Sequence, residues 1–185
     1  MISTNDMRPG QTLEIGGGLF TIVDYQHIKP GKGQAFVRTK LKNVNTGAVV
    51  EKTFRADEKV NLAVLDKREM QYLYSDSAGL VFMDNESYEQ MHVDAGLIGD
   101  ARRFLTEGMT LIVPVYEGTP VGAEMPINVV LEVTETEPGL KGDRVSGALK
   151  VATVETGATV QVPLFVETGQ RIKIDTRSGE YISRA

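Results

Sequence analysis

The chain has 185 residues and a formal net charge of −5, with 41% hydrophobic residues, 24% charged residues, no cysteine and two histidines. Without cysteine there is no thiol catalysis, disulfide, iron–sulfur cluster or cysteine-ligated zinc, and two histidines leave little for an imidazole metal site. No stretch approaches the roughly 18 apolar residues of a membrane span and the N-terminus lacks a signal-peptide pattern, so we expect a globular cytoplasmic protein away from membranes.

The first predicted domain, residues 1–63, carries nine Lys and Arg against six Asp and Glu, a net charge of +3. Residues 19–28 are rich in β-branched and aromatic side chains, and residues 35–44 and 48–54 continue the strand pattern after short turns. Several short strands joined by short turns within about 60 residues are typical of a small SH3-like barrel.

The strand predicted at residues 35–44 has two different faces. Apolar or small positions alternate with cations, so one face packs inward and the other presents positive charge. The inward residues are Val37, Thr39 and Leu41, and the outward residues are Arg38, Lys40 and Lys42. Such a row is suited to sugar–phosphate contacts, which orient a nucleic acid without reading its sequence, and a solvated barrel face is the alternative.

The turn before this strand displays a single amine. Pro30 and Gly31 set one tight turn and Gly33 permits a second, so Lys32 between them is predicted to point outward. The preceding strand, at about 3.3 Å per residue, would carry this amine roughly 20 Å from its start. Taken alone, the motif fits either a finger that reaches into a crevice or a solvated turn.

The second predicted domain, residues 64–127, is acidic, with a net charge of −7. Residues 100–107 are predicted to be helical because Ala101, Phe104 and Leu105 recur at i, i+3 and i+4. Strands interrupted by one short helix fit an OB-like barrel. The predicted strands lie at 70–74, 80–84, 88–93, 110–116 and 121–125.

The third predicted domain, residues 128–185, has a net charge of −1 and a run of short strands separated by Gly or Pro turns. Five strands within about 58 residues again suit a small OB-like barrel. The expected fold is therefore all-β, with three small barrels in tandem. The predicted strands lie at 127–134, 150–154, 159–166, 171–176 and 180–182.

No catalytic constellation stands out. His27 and His92 lie within strand patterns and are expected to be structural or exposed, and no G-x-S-x-G elbow favours a serine hydrolase. The acidic residues 84–87 lack the spacing of a calcium loop, and residues 31–33 lack that of a P-loop. We therefore expect no enzyme activity, no catalytic residue, no metal and no cofactor.

Particular runs in all three segments match one family. Residues 29–36 (KPGKGQAF) with residues 51–54 (EKTF) closely resemble the first domain of bacterial translation elongation factor P, a family of the initiation factor 5A superfamily. The matches in the other two segments, which extend the resemblance to the whole chain, are 70–74 (MQYLY), 81–84 (VFMD), 150–152 (KVA), Gly157, Val160, Val162, Pro163, Gly169 and 183–185 (SRA).

The resemblance implies an SH3-like (KOW-like) barrel followed by two OB-fold barrels in an L shape. It implies a monomeric factor that binds both ribosomal subunits between the peptidyl and exit sites and stimulates peptide-bond formation at consecutive prolines by positioning peptidyl-tRNA. Lys32 matches the lysine that lies near the CCA end and that many members extend covalently, which implies a lysine-modifying enzyme as a partner. The further expected tip and RNA-backbone contacts are Lys29, Pro30, Gly31, Gly33, Gln34, Arg38, Lys40 and Lys42.

The resemblance also implies that the third domain reaches the small subunit through a loop near the exit-site codon. In this chain Ala148 and Leu149 replace the glycine-rich continuation of that loop. Tyr181 could equally belong to the core of its barrel. The expected contacts to the small subunit or tRNA are Gly142, Asp143, Arg144, Ser146, Gly147, Tyr181 and Arg184.

A general single-stranded RNA-binding protein built from OB-like barrels is the competing function. Such a protein needs aromatic side chains on an open basic face, on which bases stack. Aromatic residues make up only 6% of this chain and tryptophan is absent, so stacking platforms are expected to be scarce.

Overall fold

A computed structural model of the chain describes residues 1–139 and 147–185. Within them the regular structure is almost entirely β, with short 3-10 helices at Thr4–Asp6, Ala95–Leu97 and Gly99–Phe104. The strands of this described part are β1 Ile2–Ser3, β2 Thr12–Ile15, β3 Gly18–Ile28, β4 Phe36–Asn43, β5 Val49–Arg55, β6 Lys59–Ala63, β7 Asp66–Asp76, β8 Gly79–Asp84, β9 Gln90–Val93, β10 Thr110–Tyr116, β11 Thr119–Pro120, β12 Asn128–Thr136, β13 Leu149–Val154, β14 Thr159–Pro163, β15 Arg171–Asp175 and β16 Tyr181–Arg184.

The first sheet has the strand order β1-β6-β2-β3-β4-β5, with antiparallel neighbours. The strands predicted at 19–28, 35–44 and 48–54 are β3, β4 and β5. The prediction missed β6, where only two of five residues are buried and the apolar pattern is weak. The buried side chains that form the core of this sheet are Met7, Leu13, Ile22, Val37, Leu41, Phe54 and Val60.

The second sheet has the order β11-β10-β7-β8-β9. The predicted strand at 110–116 is β10, whereas the prediction of a strand at 121–125 is wrong. Glu117 and Gly118 both have positive φ, at 50° and 79°, which is the backbone of a tight two-residue hairpin turn. The chain therefore reverses at once, and Tyr116 pairs with Thr119. Farther along, Ile112 and Glu124 form only an isolated bridge.

The predicted helix at 100–107 is instead a 3-10 helix that ends at Phe104. Phe104 is fully buried, while Ala101 and Leu105 are half-buried, so one aromatic side chain anchors the segment. Phe104 packs in the core of the third sheet together with valines and isoleucines of β12 to β15. A segment of six residues with one fully buried side chain is too short to form a stable α-helix by itself.

The third sheet has the order β14-β13-β12-β15-β16, with antiparallel neighbours. Its buried face follows the period of two in each strand, and Leu131 of β12 lies opposite Ile172 of β15 in the core. All five strands of the predicted third domain are present. The largest difference at a single strand end is in β14, which ends at Pro163 rather than at residue 166.

Packing divides the chain into two compact units, one of residues 1–68 with 113–122 and the other of residues 69–112 with 123–185. The predicted domain limits at 1–63, 64–127 and 128–185 stay a prediction. Among the described residues, no helix has the length and apolar character needed to cross a membrane.

Candidate functional site

The hairpin of β3 and β4 carries the candidate site. The two strands pair up to Ile28 and Phe36, and residues 29–35 form the loop beyond the last pair. All side chains from residue 29 to residue 34 are exposed. Gly33 has φ of 110°, a conformation that side chains with a Cβ rarely adopt, and this explains why glycine stands there. Lys32 therefore lies in an exposed loop whose backbone conformation favours glycine at position 33.

The ammonium group of Lys32 has no hydrogen bond or ion pair with another described residue. Lys29, Pro30, Gly31 and Gln34 are also exposed in this loop. A solvated ammonium keeps its full donor capacity for a partner because no intramolecular contact must be broken first.

The outward side of β4 behaves as its alternation predicts. Val37, Thr39 and Leu41 are no more than 1% exposed. The intervening cations, Arg38, Lys40 and Lys42, are exposed. The hydroxyl of Thr39 donates to the Lys52 carbonyl at 2.8 Å, which satisfies the one polar group on the inward side.

The neighbouring strands give the three cations different surroundings. Arg38 lies between Gln26 and Thr53 in the register of the sheet. Lys40 lies between Asp24 and Glu51. Since side chains directly opposite one another on antiparallel strands have Cβ atoms about 5 Å apart and diagonal neighbours lie about 7–8 Å apart, the two carboxylates reduce the positive potential more around Lys40 than around Arg38.

Lys42 completes the row between uncharged neighbours, Thr21 on β3 and Val49 on β5. The face is thus positive at both ends and mixed in the middle. Its three cations were expected from the sequence, whereas the two carboxylates beside Lys40 come from other strands and could be found only through the sheet register.

The sites predicted in the third domain have different outcomes. Gly142, Asp143, Arg144 and Ser146 lie outside the described residues. Gly147 is exposed and has φ of 89°.

Tyr181 is half-buried and packs against the core of the third sheet, as the alternative reading of this residue had it. Arg184 is exposed, and its guanidinium lies 5.1 Å from the ring centroid of Phe165, which is itself 56% exposed. The aromatic partner of Arg184 was not found from the sequence, because Phe165 follows β14 and no spacing relates it to the C-terminal strand.

The two histidines and the acidic turn at residues 84–87 lie in surroundings that fit structural roles. His27 is exposed on β3. The Nε2 atom of His92 lies 2.9 Å from Oδ2 of Asp76, and this hydrogen bond is the main cause of the lowered pKa of Asp76. Oδ1 of Asp84 accepts hydrogen bonds from backbone amides of its own turn. No group of three or more acidic or histidine side chains in the described ranges is placed to hold a metal ion.

Comparison with known proteins identifies the family. Over 185 residues, all of this chain and 99% of the relative, the sequence is 55% identical to Elongation factor P of Acidothermus cellulolyticus. It is also 55% identical to Elongation factor P of Moorella thermoacetica over the full length of both chains. The chain belongs to the elongation factor P family. It is therefore a translation elongation factor.

Family models assign the three segments in order. Residues 3–60 match the elongation factor P KOW-like domain, residues 65–123 its OB domain and residues 129–184 its C-terminal domain. A solved structure of a translation initiation factor eIF-5A family protein from Naegleria fowleri has a similar fold, with a TM-score of 0.53 and 14% identity over 67% of this chain and 96% of that one. The resemblance read from the sequence and the all-β fold with a KOW-like domain before an OB domain are confirmed.

Proposed function

We propose that this elongation factor binds the ribosome between the peptidyl and exit sites and accelerates peptide-bond formation at consecutive prolines by positioning peptidyl-tRNA. The ribosome supplies the reaction chemistry, and the chain contributes binding and orientation without catalytic residues of its own. Its partners are both ribosomal subunits and peptidyl-tRNA, and the chain acts as a monomer.

The physical reason for such a role lies in proline. Its ring fixes φ and makes its nitrogen a hindered, poorly oriented nucleophile, so the step is slow unless the reacting ends are held in a productive geometry. Orientation alone can lower a reaction barrier by several kcal/mol, and each 1.4 kcal/mol changes the rate about tenfold. A factor that only positions the peptidyl-tRNA is therefore sufficient for a large effect.

The observation that carries this proposal is the exposed Lys32 in the loop between β3 and β4, with no partner among the described residues. We place its amine at the CCA end of peptidyl-tRNA, with Lys29, Gln34 and Arg38 as backbone contacts behind it. An amine in this position is also accessible to a lysine-modifying enzyme, which would extend it covalently and lengthen its reach. The contacts of the third domain with tRNA or the small subunit then include Arg184.

Lys32→Ala tests the proposal in a reconstituted translation system that synthesises a proline–proline sequence. We expect normal folding, because an exposed loop lysine has no core role, and a rate equal to that without the factor. Lys32→Arg keeps the charge but changes its shape and blocks lysine chemistry, so little or no stimulation is expected. Lys59→Ala, which removes an exposed lysine from β6, is the matched control and should stimulate like the unaltered chain.

Full stimulation by Lys32→Ala would refute the assignment. The mass of the intact chain, compared with the calculated 20.2 kDa, reveals whether Lys32 carries an extension. Filter binding separates this function from general RNA binding. A positioning factor prefers ribosomes with peptidyl-tRNA strongly over free single-stranded RNA at the same salt concentration, whereas a general RNA-binding protein does not.

A further inference from the structure

A second set of side chains lies on the outward face of the hairpin, directly behind the Lys32 loop. Phe36 opens β4, and because Val37 is inward, Phe36 and Arg38 share the outward face. The sheet register places Ile28 of β3 on one side of Phe36 and Arg55 of β5 on the other. An aromatic residue, an aliphatic residue and two arginines therefore share one face at the end of the sheet nearest the loop.

Phe36 is not needed for the core beneath it. The partly buried apolar side chains that pack against the core of the first sheet are Ile2, Ile15, Phe20 and Tyr25. Phe36 is partly exposed on the opposite face of the sheet. An aromatic side chain that remains partly in water at a strand end is available to a partner.

The charges around Phe36 favour an anion. Arg38 and Arg55 are exposed, and neither guanidinium has a hydrogen bond or ion pair with another described residue. The carboxylate of Glu58 accepts a hydrogen bond from the backbone amide of Arg55 at 3.1 Å. Farther from the loop, Lys40 faces Asp24 and Glu51, so the positive charge beside the ring is less opposed than the charge of Lys40.

Guanidinium groups beside a ring match an unpaired nucleotide. The ring offers a surface for a base or sugar, and the guanidinium groups pair with the flanking phosphates. We propose that Phe36, Arg38 and Arg55, which we name the tip platform, hold an unpaired nucleotide of the acceptor end of peptidyl-tRNA. This inference rests on the proposed function and adds positioning residues to it.

The spacing along the chain agrees with one RNA strand for both contacts. Four residues separate Lys32 from Phe36, so their Cα atoms lie at most about 14 Å apart. At about 3.4 Å per stacked nucleotide, this distance corresponds to roughly four nucleotides or fewer. A strand whose end reaches Lys32 therefore passes the tip platform within its last few nucleotides, which are the unpaired ones at an acceptor end.

The test measures binding of the full chain to ribosomes with peptidyl-tRNA in the peptidyl site, as a function of KCl concentration. Phe36→Leu should weaken binding about tenfold with an unchanged log–log salt slope, and Phe36→Tyr should restore it. Arg55→Gln should reduce the slope by about 0.7 to 0.9, as expected for one lost phosphate contact, and Arg55→Lys should restore the slope. Lys40→Gln, on the same face, is the control and should change the slope by less than about 0.3.

Three outcomes overturn the inference. The platform has no special role if Lys40→Gln lowers the slope as much as Arg55→Gln does. It does not contact RNA if Phe36→Leu and Arg55→Gln bind like the unaltered chain. The surface binds a modifying enzyme instead if both variants bind ribosomes normally but their intact mass no longer shows the extension on Lys32.

The same measurements keep the inference distinct from the proposed function. If Lys32→Ala abolishes stimulation while the platform variants are fully active, the proposed function stands and the platform falls. If Lys32→Ala remains fully active, the proposed function falls whatever the platform variants do. Thermal unfolding of Phe36→Leu and Phe36→Tyr, which should match within a few degrees, excludes misfolding as the reason for weak binding.

Discussion

Two glycines in the Lys32 loop provide a matched test of whether its backbone geometry matters. Gly33 has φ of 110°, whereas Gly31 has no positive φ, and a Cβ at Gly31 would meet open space. A Cβ at Gly33 would lie 3.8 Å from Cγ of Pro30, an ordinary contact. Gly33→Ala and Gly31→Ala therefore add the same methyl group without a clash and differ mainly in the backbone conformation that they must adopt.

The expected difference follows from conformational energies. Alanine in a left-handed conformation costs about 1–2 kcal/mol, whereas replacing glycine in a compatible conformation stabilises by about 0.4–1 kcal/mol through the unfolded chain. If the loop keeps its geometry, Gly33→Ala has a net cost of roughly 0.5–1.5 kcal/mol, and Gly31→Ala is slightly stabilising. The gain through the unfolded chain is common to both variants and cancels, so they differ by about 1–2 kcal/mol in free energy of unfolding.

Urea unfolding and the proline–proline synthesis assay together decide the question. With a slope of about 2 kcal/mol per M, the midpoints of the two variants should differ by roughly 0.5–1 M. If Gly33→Ala instead relaxes the loop, its stability is retained but Lys32 moves, and stimulation should fall while Gly31→Ala stays active. Equal midpoints together with full activity in both variants would show that the left-handed conformation at residue 33 has no role.

Two further predictions concern the second unit. Phe104→Ala, which empties a fully buried site, should cost about 3–5 kcal/mol in urea unfolding, whereas Leu105→Ala at a half-buried neighbour should cost less than about 2 kcal/mol, and equal costs would contradict the packing. The Arg177 side chain, by its hydrogen bond, is the main cause that lowers the pKa of Asp175 to about 2 from 3.8. The stability contributed by this carboxylate is present above about pH 3.8 and is lost as the pH falls toward 2. In Arg177→Gln, carboxyl NMR titration should show the pKa of Asp175 rising toward 3.8, and an unchanged value would exclude Arg177 as the cause.

Most of the fold could be predicted because burial and strand period coincide. The alternation from Val37 to Leu41 gave β4 with both of its faces correct, since a single sheet face packs on the core. The prediction failed at two places where strand period and burial do not determine the backbone conformation. Residues 117–118 both have positive φ and form a hairpin turn, and glutamate is not a residue type that indicates such a turn in a sequence. At Phe104, helical spacing was mistaken for a helix, although one buried ring holds the segment.

The candidate site shows the same division between local and nonlocal information. Pro30 and Gly33 are local signals, and they were enough to predict that Lys32 is displayed in a turn. Family resemblance added the role that is proposed for it. Neither source could reveal Arg55 beside Phe36, because nineteen residues separate them in sequence and only the pairing of β4 with β5 brings them together.

The charge on a strand face is therefore a property of the sheet rather than of one strand. Arg38 and Lys40 are two residues apart on the same side of β4, and from the sequence they are equivalent phosphate ligands. In the sheet, Lys40 has carboxylates on both sides, and a phosphate that approached it would meet their repulsion as well as its attraction. Arg38 has uncharged residues directly opposite it on both neighbouring strands, so it keeps more of its attraction than Lys40 does. RNA contact on this face should consequently be weakest at Lys40, and the contact at the end beside the Lys32 loop is the one placed to orient the reacting strand.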